Sequence, residues 1–97
     1  MMKRQTALDI LKGHRSELQE FGVKSMALFG SIVREEAKSD SDIDILVEFE
    51  RPVGLFTFFR LRHRLEDLMG KRVDLVTPPA LKPQLRDRIL KEAVYAE

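Results

Sequence analysis

Short apolar runs and longer amphipathic stretches alternate along the chain. Three apolar runs, bounded by glycine, proline or polar residues, predict buried strands at Val23–Phe29, Ile43–Phe49 and Val73–Val76. Apolar residues at helical spacing predict helices at residues 6–21, 54–69 and 83–95, and a helical turn or two is predicted at residues 31–37. The order α-β-α-β-α-β-α predicts the α/β (α+β) class, a small mixed sheet with helices packed on it, in one domain of residues 1–97.

Individual residues refine the ends of the helices. Thr6 and Asp9 form the T-x-x-D pattern of a capping box, which predicts the start of the first helix. Gly22 and Gly70 are placed to end the first and second long helices. Pro83 suits the first turn of the last helix.

Phenylalanines cluster near the start of the second long helix. Phe58 lies on its apolar stripe, and Phe59 extends that stripe beside Leu55. Phe56 is harder to bury on the same face. Core packing is the prediction for Phe56; the alternative is an exposed ring at a protein interface or against an adenine base.

Composition excludes several classes of protein. The 97 residues are 43% hydrophobic and 34% charged, which is typical of a globular domain and outside the disordered and fibrous classes. Cysteine is absent, which excludes disulfides, thiolate metal sites and cysteine nucleophiles. No apolar run approaches the ~20 residues of a membrane span, and the N-terminal segment lacks the pattern of a secretory signal. We therefore expect a cytoplasmic protein without membrane association.

Charge is distributed unevenly, although the formal net charge is only +1. Residues 35–50 carry seven acidic side chains and one basic one, whereas the segments on either side have a basic excess. A general nucleic-acid binder needs a continuous basic face, so nucleic acid is not the expected partner. A concentrated acidic segment instead favours a local cation site.

Gly30 and Ser31 follow the first predicted strand and open a predicted helix. Glycine permits a sharp turn and lets a ligand approach the backbone closely. A helix N-terminus behind it would offer unpaired N–H groups to a phosphate, and Ser31 would add a hydroxyl. An ordinary strand-to-helix turn with a serine cap is the alternative for this pair taken alone.

Asp42 and Asp44 stand at the start of the second predicted strand. Residues two apart on a strand point to the same side, so both carboxylates should face one spot while Ile43 points away. Paired carboxylates suit Mg²⁺, a hard cation that also takes phosphate oxygens. A solvated pair of loop aspartates is the alternative.

Asp74 is the one charged residue in the apolar run of the third predicted strand. If it faces the two earlier aspartates at ~5 Å, each like-charged pair costs about 3 kcal/mol at an effective dielectric constant near 20. Such a cluster implies a cation. The cation is either a metal ion or a basic side chain, and Arg34, Lys71 and Arg72 are available for a salt-bridge cluster.

The three segments together resemble a known family. Residues 30–35 (GSIVRE), 41–47 (SDIDILV) and 73–76 (VDLV) are similar to the minimal nucleotidyltransferases of the polymerase-β-like superfamily, which are antitoxins of HEPN/MNT toxin–antitoxin modules. The family pattern is G-S-x-x-R, a D-x-D about ten residues later, and a subsequent single aspartate. The resemblance extends from the first predicted strand to the last predicted helix and implies the polymerase-β-like nucleotidyltransferase fold.

The resemblance also implies a role for each matching residue. Those that would bind the nucleotide phosphates are Gly30, Ser31 and Arg34, although Arg34 could instead brace the acidic cluster. Those that would ligate one or two Mg²⁺ ions and serve catalysis are Asp42, Asp44 and Asp74, the last either completing the metal site or acting as general base. Glu35 departs from the pattern, because many relatives have glycine there.

The implied reaction is transfer of AMP from ATP to a hydroxyl group. Because 97 residues leave room only for a catalytic unit, we expect the acceptor in trans, on a partner protein. The resemblance names that partner as a HEPN-domain toxin, which the protein would neutralise. Two alternatives remain open: a non-catalytic antitoxin that acts by occlusion, which Glu35 favours, and a nucleotidyltransferase for a small molecule such as an antibiotic.

Overall fold

A computed structural model describes residues 2–96 of the chain. The helices are α1 (Arg4–Gly13), α2 (Arg15–Gln19), α3 (Leu55–Met69) and α4 (Pro83–Glu92), and the strands are β1 (Val23–Phe29), β2 (Ile43–Phe49), β3 (Val73–Val76) and β4 (Val94–Tyr95). Single 3₁₀ turns cover Gly30–Ile32 and Pro78–Ala80. The bounds predicted for the first three strands are confirmed. None of the helices in this part of the chain is long and apolar enough to span a membrane.

The four strands form one mixed sheet in the order β3-β2-β1-β4. β2 runs antiparallel to β1 and parallel to β3, and β4 runs antiparallel to β1. The predicted class, a small mixed sheet with helices packed on it, is confirmed. This topology places the end of β1 beside the beginnings of β2 and β3.

The two faces of the sheet are covered unequally. One face packs against α1, α2 and α3 and holds the main core, in which Leu28, Ile45, Leu61 and Leu65 are fully buried. The opposite face has a small core of four buried residues, which are Ala27, Phe29, Leu46 and Leu81. Helix α4 lies over this second face without a single buried residue of its own. The second face is therefore the more accessible one.

The predicted start of the first helix is wrong. The helix begins at Arg4 and has no side-chain cap, so Thr6 lies inside it rather than at its boundary. The extent of α1 is determined by the burial of Ala7, Leu8 and Leu11 against the sheet. A capping pattern in the sequence does not set the start of a helix unless packing supports it. The helix also breaks near His14 instead of continuing to residue 21.

The last helix is shorter than predicted, because a fourth strand follows it. Helix α4 ends at Glu92, and Val94 and Tyr95 pair with Leu28 and Ala27 of β1. The N–H of Ala96 adds a hydrogen bond to a β1 carbonyl oxygen at 2.9 Å. Two residues are too few to show strand periodicity in a sequence.

The prediction that Phe56 packs in the core is also wrong. Phe58 does contact the main core and lies 6.5 Å from Phe49, measured between ring centroids. Phe56 is 77% exposed and its neighbour Leu55 is 73% exposed, with the guanidinium of Arg60 over the Phe56 ring. These two side chains form an apolar patch at the start of α3, which is called the α3 patch below.

Candidate functional site

Two aspartates meet at the edge of the sheet where β2 and β3 begin. Asp44 is the second residue of β2, Asp74 is the second residue of β3, and the two are direct partners in the parallel register. Neighbouring strands lie ~4.8 Å apart and partners point to the same side, so the two carboxylates are adjacent. They lie on the more accessible face of the sheet, since Leu46, two residues after Asp44, belongs to its small core.

Gly30 brings the turn after β1 against the carboxylate of Asp44. Its neighbour Phe29 pairs with Asp44 across the β1–β2 ladder, and Gly30 itself has φ +75°. A Cβ atom added at Gly30 would overlap Oδ2 of Asp44. Glycine is therefore needed at this position for two reasons, which are the left-handed backbone and the close approach of the carboxylate.

Crowding and burial change the acidity of Asp44. The pKa of its carboxyl group is raised from 3.8 to about 6, mainly by burial and then by the negative charges of Asp74 and Asp42. A hydrogen bond with Asp74 raises the pKa further, and the positive charge of Arg34 opposes these effects only weakly. The negative charges of Asp74 and Asp42 thus both act on Asp44.

A salt-bridge cluster does not account for these aspartates. Within residues 2–96, the ion pairs are Arg34 with Glu36 and Glu92, His63 with Glu66, and Arg64 with Glu17. None of them includes Asp42, Asp44 or Asp74. Lys71, a candidate for neutralising them, donates to the carbonyl oxygen of Ser39 at 2.8 Å instead. Between residues 2 and 96 these carboxylates form no ion pair, and the charge of Arg34 acts on Asp44 only weakly.

The structure does not bring the three predicted carboxylates together into one metal-binding group. No group of three or more His, Asp or Glu side chains between residues 2 and 96 is arranged to hold a metal ion. Asp42 lies one residue before β2 and is exposed, whereas Asp44 is half-buried in the sheet. The donor set nevertheless fits Mg²⁺ in kind, since its oxygens are hard ligands and their repulsion is what a divalent cation relieves.

The turn after β1 is at the short end of the helical turn or two predicted at residues 31–37. Only Gly30–Ile32 is helical, as a single 3₁₀ turn. The N–H of Glu36 donates to the carbonyl oxygen of Ser31 at 2.9 Å and the N–H of Glu35 to that of Ile32 at 3.3 Å, which is the bonding pattern of a Schellman motif. The motif ends the helix after one turn, so no helix dipole of useful length stands behind the half-buried Ser31.

Glu35 occupies the position of that motif at which glycine is favoured. Its φ is +59°, and it is the only residue other than glycine with positive φ in the part of the chain that the structure describes. A left-handed backbone costs a residue with a Cβ about 1–2 kcal/mol. The departure from the family pattern is therefore a departure at a strained backbone position.

Replacing Glu35 with glycine should stabilise the protein by up to ~1 kcal/mol, because the strain of 1–2 kcal/mol is partly offset by the greater chain entropy of glycine. Urea denaturation of the variant and the wild type measures this difference. Glu35→Gln is the matched control, since it removes the charge and keeps the strain. An equal gain in stability for both variants would assign the effect to charge instead of backbone conformation.

Arg34 lies on this turn and is held by acidic residues. Its Nη1 contacts both carboxylate oxygens of Glu92 at 3.1 Å, and its Nε contacts Glu36 at 3.3 Å. Hydrogen bonds to Glu36 and Glu92 raise the pKa of the guanidinium above its usual value. Glu92 also accepts a hydrogen bond from the Gly30 N–H at 3.0 Å. Sequence reasoning missed Glu92, because it follows Arg34 by 58 positions and belongs to no motif.

A glycine turn and a pair of aspartates at one edge of a mixed sheet are typical of the nucleotidyltransferase class. The nucleotidyltransferase domain family matches residues 11–96 of this chain. The chain belongs to this family, among its minimal nucleotidyltransferases. The resemblance and the enzyme class inferred from the sequence are both confirmed.

Relatives of known name support this assignment. Protein adenylyltransferase MntA of Thermococcus cleftensis is 51% identical over 87 residues, which cover 89% of this chain and 88% of that protein. A solved structure proposed to be a minimal nucleotidyltransferase is 38% identical, with a TM-score of 0.74 and coverage of 96% of this chain and 95% of that one. A toxin–antitoxin structure with AMP-PNP shares the fold at 20% identity, with a TM-score of 0.71 over 89% of this chain and 72% of that one.

Proposed function

We propose that the protein uses Mg²⁺ and ATP to transfer AMP to a hydroxyl group of a partner protein. One observation carries this proposal: Asp44 and Asp74 are adjacent, neither forms an ion pair within residues 2–96, and Asp44 lies against the glycine turn at Gly30. That arrangement places carboxylates beside backbone and guanidinium groups suited to phosphate. The name of the Thermococcus relative, protein adenylyltransferase, supports a protein acceptor.

Each residue has a defined task in this proposal. Gly30, Ser31 and Arg34 bind the phosphates. Asp42 and Asp44 would hold Mg²⁺, and Asp74, beside Asp44, either completes that site or acts as the general base. The metal, when bound, would neutralise charge on the triphosphate and favour loss of pyrophosphate. The acceptor oxygen forms a bond to the α-phosphorus as the bond from that phosphorus to pyrophosphate breaks.

Asp74 is the carboxylate best placed to receive the proton of the acceptor hydroxyl. Its side chain is exposed on the edge strand, whereas Asp44 is half-buried between two strands. An acceptor on another protein can approach Asp74 from solvent. We therefore assign the role of general base to Asp74 and the role of positioning the nucleotide to Asp44.

A HEPN-domain protein is the partner that we propose. Structures that share the fold at under 25% identity include MntA–HepT toxin–antitoxin complexes, and a protein acceptor needs a docking surface on this chain. The α3 patch offers one, since two large apolar side chains are exposed together at the start of α3. Neutralisation of the toxin would then follow from its modification.

Occlusion without catalysis is the second candidate, and one contact favours it. The carboxylate of Glu92 already binds the Gly30 N–H and Arg34, so groups suited to phosphate are occupied by the chain itself. An antitoxin of this type would need only its docking surface.

Labelled ATP separates the two candidates. The protein is incubated with Mg²⁺, its HEPN-domain partner, and ATP labelled on the α-phosphate or, in a parallel reaction, on the γ-phosphate. Label on the partner from the α-position alone supports AMP transfer. Protection of the partner's target from toxin activity without any label would support occlusion and overturn the transfer proposal.

Phe56→Ala should weaken binding to the partner by about tenfold or more, as expected for a large aromatic side chain in an interface. The melting temperature of the isolated chain should change little, because the ring is 77% exposed. Calorimetric titration and thermal unfolding measure the two effects. His63→Ala, at an exposed position two turns along α3, is the control and should change neither. A loss of stability with unchanged affinity would contradict this assignment.

A further inference from the structure

Glu92 lies at the far end of the chain from the glycine turn and yet binds it directly. It is the last residue of α4, and its carboxylate Oε1 accepts hydrogen bonds from the Gly30 N–H at 3.0 Å and from Arg34 Nη1 at 3.1 Å. The second oxygen, Oε2, also lies 3.1 Å from the same guanidinium nitrogen. One carboxylate thus bridges a backbone amide and an arginine.

The pair of donors that Glu92 occupies is suited to anions in general. A backbone N–H at a glycine turn and a guanidinium group both form strong charge-assisted hydrogen bonds with phosphate oxygens. Gly30 and Arg34 are also two of the three residues that the proposed function assigns to the nucleotide phosphates. The bound carboxylate therefore stands where a phosphate oxygen would be expected.

We propose that Glu92 is an internal competitor for the phosphate subsite, and that the nucleotide must displace its carboxylate in order to bind. This inference rests on the proposed function, since it takes Gly30 and Arg34 as phosphate ligands. A triphosphate carries several negative charges against the single charge of Glu92, so exchange of one for the other is favourable. The competitor raises the concentration of nucleotide that is needed to fill the site.

The surroundings of Glu92 allow such an exchange. Its side chain retains 21% of its exposure and that of Arg34 retains 38%, so both groups border on solvent. The displaced carboxylate can enter water without an uncompensated burial cost. Arg34 keeps its contact through Nε with Glu36 when Nη1 is released, which holds the guanidinium at the turn. Glu36 thus orients the arginine, whereas Glu92 occupies its binding face.

Displacement of Glu92 also has a consequence for α4. The contact of its last residue with the glycine turn joins the helix to the site, and β4 joins the following residues to β1. Binding of nucleotide removes the first link and leaves the second. Hydrogen exchange at the end of α4 should therefore become faster when nucleotide is bound.

The test compares the wild type with Glu92→Gln and Glu36→Gln in EDTA. Calorimetric titration with ATP and with inorganic tripolyphosphate measures the dissociation constants without catalysis. Glu92→Gln should bind both about tenfold more tightly, since a neutral amide competes less well for Arg34. Glu36→Gln removes the same charge from the same arginine and leaves Gly30 occupied, so its dissociation constants should stay within about twofold of wild type. Glu92→Ala serves as the second variant and should show the same direction as Glu92→Gln.

Each other result overturns the inference in a distinguishable way. Wild-type binding of ATP with equal or weaker binding by both Glu92 variants would make Glu92 a supporting residue, while the proposed function stands. An equal gain in Glu92→Gln and Glu36→Gln would assign the effect to net charge and remove the competitor role. Failure of every form to bind either ATP or tripolyphosphate would overturn the phosphate subsite and the proposed function together.

Discussion

Replacing Asp44 with asparagine is expected to abolish AMP transfer while making the metal-free protein more stable at neutral pH. Activity should fall by at least about 10³-fold, because the variant loses a charged ligand of the proposed metal site and its share of transition-state stabilisation. Stability should rise because one member of a repelling carboxylate cluster becomes neutral. Transfer assays and thermal unfolding in EDTA measure the two effects.

The stability gain should depend on pH in a defined direction. Folded protein holds the Asp44 proton up to about pH 6, whereas the unfolded chain releases it near 3.8. Between these values the folded state binds more protons, so the free energy of unfolding of the wild type falls as the pH rises from about 4 to about 6. The variant lacks this loss, which is on the order of 1 kcal/mol once solvent screening is considered. Its advantage should be small at pH 4 and full above pH 6.

Asp40→Asn is the control for this experiment, since Asp40 is exposed in the loop before β2. It should retain activity, and its stability should stay close to that of the wild type at each pH between 4 and 8. If Asp44→Asn melted below the wild type at pH 7.5 in EDTA, Asp44 would have to be stabilised by a favourable partner, and the metal-site interpretation would fail.

Among substitutions that add a single methyl group, Gly30→Ala is expected to disrupt the site most. The backbone there has φ +75°, which costs alanine about 1–2 kcal/mol, and the new Cβ would displace the Asp44 carboxylate. We expect a larger loss of unfolding free energy than the backbone cost alone, and at least a 10²-fold loss of activity because the metal ligand moves. Urea denaturation and transfer assays provide both measurements.

Gly70→Ala isolates the backbone contribution. Gly70 has φ +68°, and nothing lies within 4 Å of the place where its Cβ would be. This variant should lose only about 1–2 kcal/mol and keep its activity. If Gly30→Ala resembled Gly70→Ala in both stability and activity, the close packing of the turn against Asp44 would be unimportant for both.

Strands β1, β2 and β3 could be predicted to the residue, because each is a short apolar run with breaking residues at both ends. Alternation along a strand also predicted that Asp42 and Asp44 face the same side. That Asp44 and Asp74 are neighbours depends on the parallel register of β2 and β3. Local patterns contain no signal for that register, and the family resemblance implied only that Asp74 completes the metal site or acts as general base. The roles assigned to the six site residues remain predictions; these residues are Gly30, Ser31, Arg34, Asp42, Asp44 and Asp74.

The features that could not be predicted are those that depend on distant contacts. The one-turn helix ends early because Glu35 adopts a left-handed conformation, although its residue type suggests a continuing helix. Strand β4 exists because β1 offers it an edge, and Glu92 reaches the glycine turn because of that pairing. The spacing of residues along a sequence contains no signal for contacts between such distant positions.

The position of Asp74 also affects solubility. Strand β3 is an outer strand of the sheet, and apart from this carboxylate its side chains are valine and leucine. An outer strand with unpaired backbone groups invites pairing with another molecule, and a charge on it discourages that association. Loss of the charge would leave a short β-branched segment suited to intermolecular pairing. Asp74, the proposed general base, would also keep the outer strand from self-association, so an inactive form is better made at Asp44.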